Sequence, residues 1–256
     1  MGVFKLKCAG MRRFILTVSL CLLGCQVRAA EVKVAVAANF TAPMKQIAEA
    51  FAKDTGHKAV LSFGATGRLY AQISNGAAFE VLLSADDETA AKLENAGFAV
   101  AGTRFTYATG RLVLWSAQSG LVDDNAAVLR RNDFKHLAIA APKLAPYGAA
   151  AMAALSKTGL LAGVQSKLVT GESIGQTFGM VSSGNAELGF VAMSQVFEGG
   201  KLTRGSAWVV PASLHRPLEQ AAVLLVAGKS NPAARQLLVF LQSNQARAII
   251  SAFGYE

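Results

Sequence analysis

VAVAANFTAPMKQIAEAF, residues 34–51, decides the fold. Alternating Val and Ala across Val32–Ala38 predict a buried strand. Pro43–Thr55 predict a helix, because Met44, Ile47, Ala48 and Phe51 recur at three- and four-residue steps on one face. Gly56 ends that helix where a left-handed residue is favoured. A strand that runs into a helix through Asn39-Phe40-Thr41 is one βα unit, and the question is whether it recurs.

It does. Lys58–Phe63 and Gly67–Ser74 form a second strand and helix, stopped by Asn75-Gly76, and Val81–Ser84 with Asp86–Asn95 a third, stopped at Gly97. The rhythm breaks at Leu112–Trp115, a strong strand with no helix directly after it. It restarts with strand Leu137–Ala140, helix Tyr147–Thr158, a strand near Lys167–Thr170, helix Gly175–Ser183 and strand Leu188–Val191. A late strand, Ala221–Ala227, and one final helix, Pro232–Phe253, complete the chain. Two blocks of βα units separated by a strand crossing imply an α/β fold of two lobes, each a mainly parallel sheet flanked by helices, with a ligand cleft between them. The expected division is 30–110 with 217–256 for the first lobe and 111–216 for the second.

Residues 1–29 stand apart as a leader, with Lys5, Lys7, Arg12 and Arg13 ahead of an apolar core from Phe14 to Gly24 and no acidic residue. That pattern, followed by Val27-Arg28-Ala29, is a secretory signal with cleavage expected after Ala29. Leu22-Leu23-Gly24-Cys25 also approaches a lipoprotein signal, so Cys25 is an alternative anchor point, and Met11 is an alternative start. All three cysteines lie in this leader, which leaves the mature chain no disulfide, thiolate metal site or cysteine nucleophile. Of 25 basic residues five also lie there, so 20 remain against 16 acidic, a net charge of +4. The remaining bases are scattered without interleaved aromatics, which argues against nucleic acid as a partner.

Three more corners resemble the opening one: GATGRL (64–69), APYG (145–148) and GESIG (171–175) each stand where a helix begins. A first helical turn offers unpaired N–H donors and the positive end of the helix dipole, which together favour an anion. Ser, Thr and Asn at such places also serve as ordinary caps. Composition therefore reaches an anion or small polar ligand held between two lobes. GESIG also fits the G-x-S-x-G nucleophile elbow, with Ser173 as nucleophile, His215 as base and Glu187 or Glu198 as third member of a remote hydrolase alternative. His57, His136 and His215 have no metal-ligand spacing, and Trp115 and Trp208 fit packing roles.

Several stretches in combination carry a family resemblance: VAVAANFTAPMKQIAEAF, LSFGATGRLYAQISNGAAFEVLLSADDETAAKL, FTYATGRLVLWS, APYGAAAMAAL and ESIGQTFGMVSSGNAELGFVAMSQV. The chain resembles the ModA family, periplasmic molybdate-binding proteins of ABC importers, over essentially its whole mature length. The resemblance implies a type II periplasmic-binding fold, no enzymatic activity, no cofactor, no free metal cation and a monomer that docks on a membrane permease. It implies a molybdate or tungstate oxyanion bound by Ala38 and Asn39, Thr66, Tyr147 and the Ile174 N–H. Many members add a Tyr hydroxyl after the LGFV-like strand, where this chain has Ala192, so Asn39 and Tyr147 are expected to supply the missing donor. Arg68 is expected on the surface or in lobe closure, and sulfate or phosphate is the alternative ligand.

Overall fold

The computed structural model describes residues 1–2 and 29–256, so the cleavage after Ala29, the lipid anchor at Cys25 and the start at Met11 concern a leader that lies outside the described residues. The first half alternates as the pattern requires: β1 (Glu31–Ala37), α1 (Thr41–Thr55), β2 (Lys58–Gly64), α2 (Thr66–Ser74), β3 (Val81–Leu83) and α3 (Asp87–Asn95). Then β4 (Phe105–Gly110) passes through Arg111 directly into β5 (Leu112–Ser116). The second alternation is α4 (Ala127–Arg131), β6 (Leu137–Ala140), α5 (Pro146–Lys157), α6 (Leu161–Val164), β7 (Leu168–Gly171), α7 (Ile174–Ser182) and β8 (Leu188–Ala192). A small hairpin of β9 (Phe197–Glu198) and β10 (Lys201–Leu202) precedes β11 (Ser206–Val209). The chain then returns through β12 (Leu218–Leu224) and ends with α8 (Pro232–Leu241) and α9 (Asn244–Ala252).

Two five-stranded sheets result, in the orders β2-β1-β3-β12-β4 and β11-β5-β8-β6-β7. In each, four strands run one way and one runs against them: β12 pairs antiparallel with β3 and β4, and β5 with β8 and β11. The antiparallel strand is in each case the one that has just crossed from the other sheet. Two crossings, at Arg111 and between β11 and β12, therefore join the lobes.

Each sheet buries its own core. In the first, α1 lays Pro43, Met44, Ile47 and Phe51 against β1, and α8 and α9 add Leu237, Leu241 and Ile250. In the second, Leu112, Leu114, Ile139, Leu188 and Phe190 pack beneath Ala151 and Leu155 of α5. Gly56 closes α1 at φ 72°, a left-handed conformation that favours glycine.

Two expectations need correction, and one strand was not foreseen. The final helix is not continuous from Pro232 to Phe253: it breaks at Gln242, and the Ser243 side chain accepts the Ala246 N–H at 3.2 Å to cap a separate α9. Apolar periodicity continues across the break, so period alone could not locate it. The late strand runs Leu218–Leu224 rather than Ala221–Ala227, because Val226–Gly228 turn away in a short 3-10 helix. Strand β4, too mixed in polarity to be read locally, exists because β12 pairs with it.

One contact tests the packing at a corner. A Cβ on Gly148 would lie 2.1 Å from the Ala140 carbonyl oxygen, so only glycine lets α5 press on the end of β6. Gly148→Ala is expected to destabilise the protein by about 1–3 kcal/mol, lowering its thermal midpoint by about 2–4 °C per kcal/mol. Circular-dichroism melting checks this, and an unchanged midpoint would count against so tight a contact.

Candidate functional site

The four strand-to-helix corners meet at one small cavity between the sheets. Ala38, Asn39, Thr66, Tyr147 and Ile174 all line it, together with Ala85 and Ala145, and its void spans about 200 Å³ including the mouth. No charged side chain is among its lining residues. Thr66 and Ile174 are the first residues of α2 and α7, and Tyr147 the second of α5, so their N–H groups have no acceptor within their own helices. Ala38 opens the short 3-10 turn that leads into α1. Three helix dipoles thus point their positive ends into a space walled by small residues.

Local sequence explains this convergence. Pro146 fits the first position of α5, where no N–H is needed. Ser173 caps α7 by accepting the Gln176 N–H at 3.2 Å, and the Glu172 N–H donates back to Gln176 Oε1 at 2.6 Å, a reciprocal pair that fixes the helix start beside the Ile174 N–H. Thr66 accepts the Ala85 N–H on Oγ1 at 3.1 Å, so the hydroxyl hydrogen remains to be donated. Gly67 lets α2 touch the other lobe, its N–H donating to the Leu144 carbonyl at 2.8 Å. Arg68 also reaches across, pairing with Glu172 at 2.6 Å with both side chains more than half exposed. It lies outside the cavity, at the lobe-closing edge.

Asn39 is buried but caps nothing. Its amide nitrogen donates to Gln220 Oε1 at 2.7 Å and to the Tyr255 hydroxyl at 2.9 Å, so both amide hydrogens are engaged away from any ligand. The expected direct role of this amide is corrected accordingly. Asn39 belongs to a buried polar cluster beside the cavity that sequence reasoning missed. Tyr107 donates to Gln220 Oε1 at 2.9 Å, and Gln220 Nε2 donates to the Tyr147 hydroxyl oxygen at 3.4 Å. The Asn39 carbonyl accepts from Tyr255 at 2.9 Å and from Ser194, in the turn after β8, at 2.7 Å. A glutamine inside the apolar run LEQAAVLL was the one available signal; Tyr255, the penultimate residue, offered none.

The hydrolase constellation does not assemble. Ser173 Oγ is occupied as a cap, His215 Nδ1 contacts the Arg216 carbonyl at 2.7 Å, and Glu187 accepts the His136 N–H at 2.9 Å. Ala192 is buried, and its N–H donates to Gln195 Oε1 at 2.9 Å. Among the described residues no group of three or more His, Cys, Asp or Glu could hold a metal ion, and no helix is long and apolar enough to cross a membrane.

Comparison with known proteins agrees with this geometry. The family model of bacterial extracellular solute-binding proteins matches residues 32–256. The molybdate-binding protein ModA of Azotobacter vinelandii is 58% identical over 245 residues, 96% of this chain and 97% of that protein. ModA of Rhodobacter capsulatus is 50% identical over 227 residues, 89% of this chain and 88% of that one. The solved structure of the Azotobacter vinelandii periplasmic molybdate-binding protein matches with a TM-score of 0.85 at 44% identity, covering 88% of this chain and 98% of that chain.

The hydroxyls beside the cavity are held neutral. Burial pushes Tyr107 and Tyr147 well above the ordinary tyrosine value, helped by the neighbouring Tyr255, and burial raises Tyr255 itself. In the unfolded chain these groups ionise near pH 10. Above about pH 10 the unfolded state therefore loses protons that the folded state keeps, and stability falls as pH rises; below about pH 9 they contribute no slope. Thermal unfolding followed from neutral to alkaline pH is expected to show this loss, with tyrosinate absorbance from three of the four tyrosines appearing only as the protein unfolds. Tyrosinate from those three in the folded protein would contradict their burial.

Proposed function

The chain belongs to the ModA family of bacterial extracellular solute-binding proteins, and we propose that it captures molybdate between its lobes and delivers it to the membrane permease of an ABC importer. It is a binding protein and not an enzyme. The observation that carries the ligand assignment is the cavity where helix starts and neutral hydroxyls meet with no charged side chain in the lining. A dianion taken out of water loses much hydration energy, and hydrogen bonds to a charged acceptor, worth roughly 1.5–3 kcal/mol each, offset it. In this reading Ala38, Asn39 and Ile174 contribute main-chain N–H groups, and Thr66 and Tyr147 add hydroxyl hydrogens.

Residues 30–110 with 217–256 act as one lobe and 111–216 as the other. Only the closed form makes both sets of contacts, so the anion biases a two-lobe equilibrium toward the form the permease receives. Tungstate, an oxyanion of nearly the same size, binds as well. Sulfate and phosphate, being smaller, are held loosely. The protein works as a monomer in the periplasm, exported on its leader and cut after Ala29; Cys25 lipidation would instead tether the same site to a membrane.

Calorimetric titration with molybdate, tungstate, sulfate and phosphate tests this. Tight saturable binding of the first two is expected, with little change across about pH 5–8, because no lining group titrates there. Thr66→Val and Tyr147→Phe are each expected to weaken molybdate binding by about tenfold. Tight sulfate binding without molybdate binding would overturn the assignment.

A further inference from the structure

We propose that Gln220 is a positioning residue for anion capture: it sets the direction of the Tyr147 hydroxyl hydrogen. The inference rests on the molybdate reading above. Gln220 is completely buried in β12, the strand that has returned from the other lobe, and it touches the cavity only through its neighbours. A glutamine amide has one accepting and one donating end. Here the accepting end is fixed twice, by Asn39 Nδ2 at 2.7 Å and Tyr107 at 2.9 Å. Rotating the amide would set its NH₂ against the Asn39 NH₂. The donating end is therefore held toward the Tyr147 oxygen, 3.4 Å away.

Tyr147 has a single hydroxyl hydrogen, and an oxygen that accepts from Gln220 keeps that hydrogen for another acceptor. Space confines the group further. A Cβ on Gly110 would lie 2.0 Å from the Tyr147 hydroxyl oxygen and 2.7 Å from Gln220 Nε2, so the hydroxyl occupies a slot that only a glycine leaves open. Tyr255 is the neighbouring hydroxyl: its hydrogen goes to the Asn39 carbonyl, and its oxygen accepts from Asn39 and is the resting partner of the Tyr147 hydrogen. An oxyanion in the cavity, as a charged acceptor, is the stronger claimant for the Tyr147 hydrogen. Tyr147 can then donate without giving up its bond from Gln220. With an acceptor or an apolar group at position 220 the polarity is no longer set, and the hydroxyl can turn inward.

A double-mutant cycle separates this from a merely structural role. Molybdate affinity is measured for the wild type, Gln220→Met, Tyr147→Phe and the double variant. Gln220→Met is expected to weaken binding about tenfold when Tyr147 is present, and less than about twofold when position 147 is Phe. Equal losses in both backgrounds would mean that Gln220 does not act through the hydroxyl, and would overturn the proposal. Should Gln220→Met fail to fold, Gln220→Glu replaces it. That variant keeps the shape, its charge acts in both backgrounds and cancels in the cycle, and the same coupling is expected. A wild type that binds no molybdate would instead refute the function reading, and this inference with it.

Discussion

The structure depends on one property of helices: their first turns leave N–H groups without acceptors. Burying such groups with nothing to bind is costly, so helix starts are usually placed in water or capped by side chains. Here three helix starts and the turn before α1 line a space with no charged side chain in its lining. Small residues allow it. Gly148 lets α5 reach the end of β6, and Gly67 lets α2 touch the opposite lobe at Leu144. A ligand that accepts from several directions completes a hydrogen-bonding pattern that the fold leaves open, and the parallel strands bring the corners to one place.

Beside that open pattern lies a closed one. Asn39, Tyr107, Gln220, Tyr255 and Ser194 satisfy one another inside the protein, and they join the opening turn, the crossing strands, the C-terminus and the second lobe. Neutral networks of this kind stay neutral across ordinary pH because burial opposes ionisation of the tyrosines. The direct cross-lobe links are hydrogen bonds of Ser194 to Asn39 and Tyr255, Gln220 to Tyr147, Gly67 to Leu144 and Gly199 to Ala252, with the exposed Arg68–Glu172 and Arg111–Glu256 pairs. An exposed ion pair contributes about 0–1 kcal/mol and a neutral hydrogen bond about 1 kcal/mol net, since water replaces either on opening. Closure resting on bonds each this weak is biased by a ligand that adds several charge-assisted bonds at once.

The βα rhythm and the four corners were legible in the sequence because local patterns encode them: apolar alternation for strands, three- and four-residue spacing for α1, and glycine or proline at the turns. Within those corners, Ala38, Thr66, Tyr147 and Ile174 could be named from the family resemblance of the motifs that hold them. The direction of the Asn39 amide could not be read. Its partners lie 181 and 216 residues away, and nothing near Asn39 distinguishes a cap from a member of such a cluster. Strand β4 and the start of β12 were hidden for the same reason, since they are specified by pairing with each other. The split between α8 and α9 hinges on the cap bond of a single serine.

The end of β8 at Ala192 bears on the cavity through its backbone. A tyrosine there would place a hydroxyl at the end of β8; alanine leaves only a methyl group. The backbone at that point is still used. The Ala192 N–H donates to Gln195 Oε1, and Gln195 Nε2 donates to the Ile174 carbonyl at 3.2 Å, which ties the turn after β8 to the first residue of α7. The end of β8 therefore bears on the cavity by holding a helix start in place, and Tyr147 stands at the adjacent strand-to-helix corner of the same sheet. A hydroxyl on a helix start is oriented by whatever packs behind it. That is the bearing on the cavity proposed for Gln220, fully buried on β12, one of the two strands that have crossed from the other lobe.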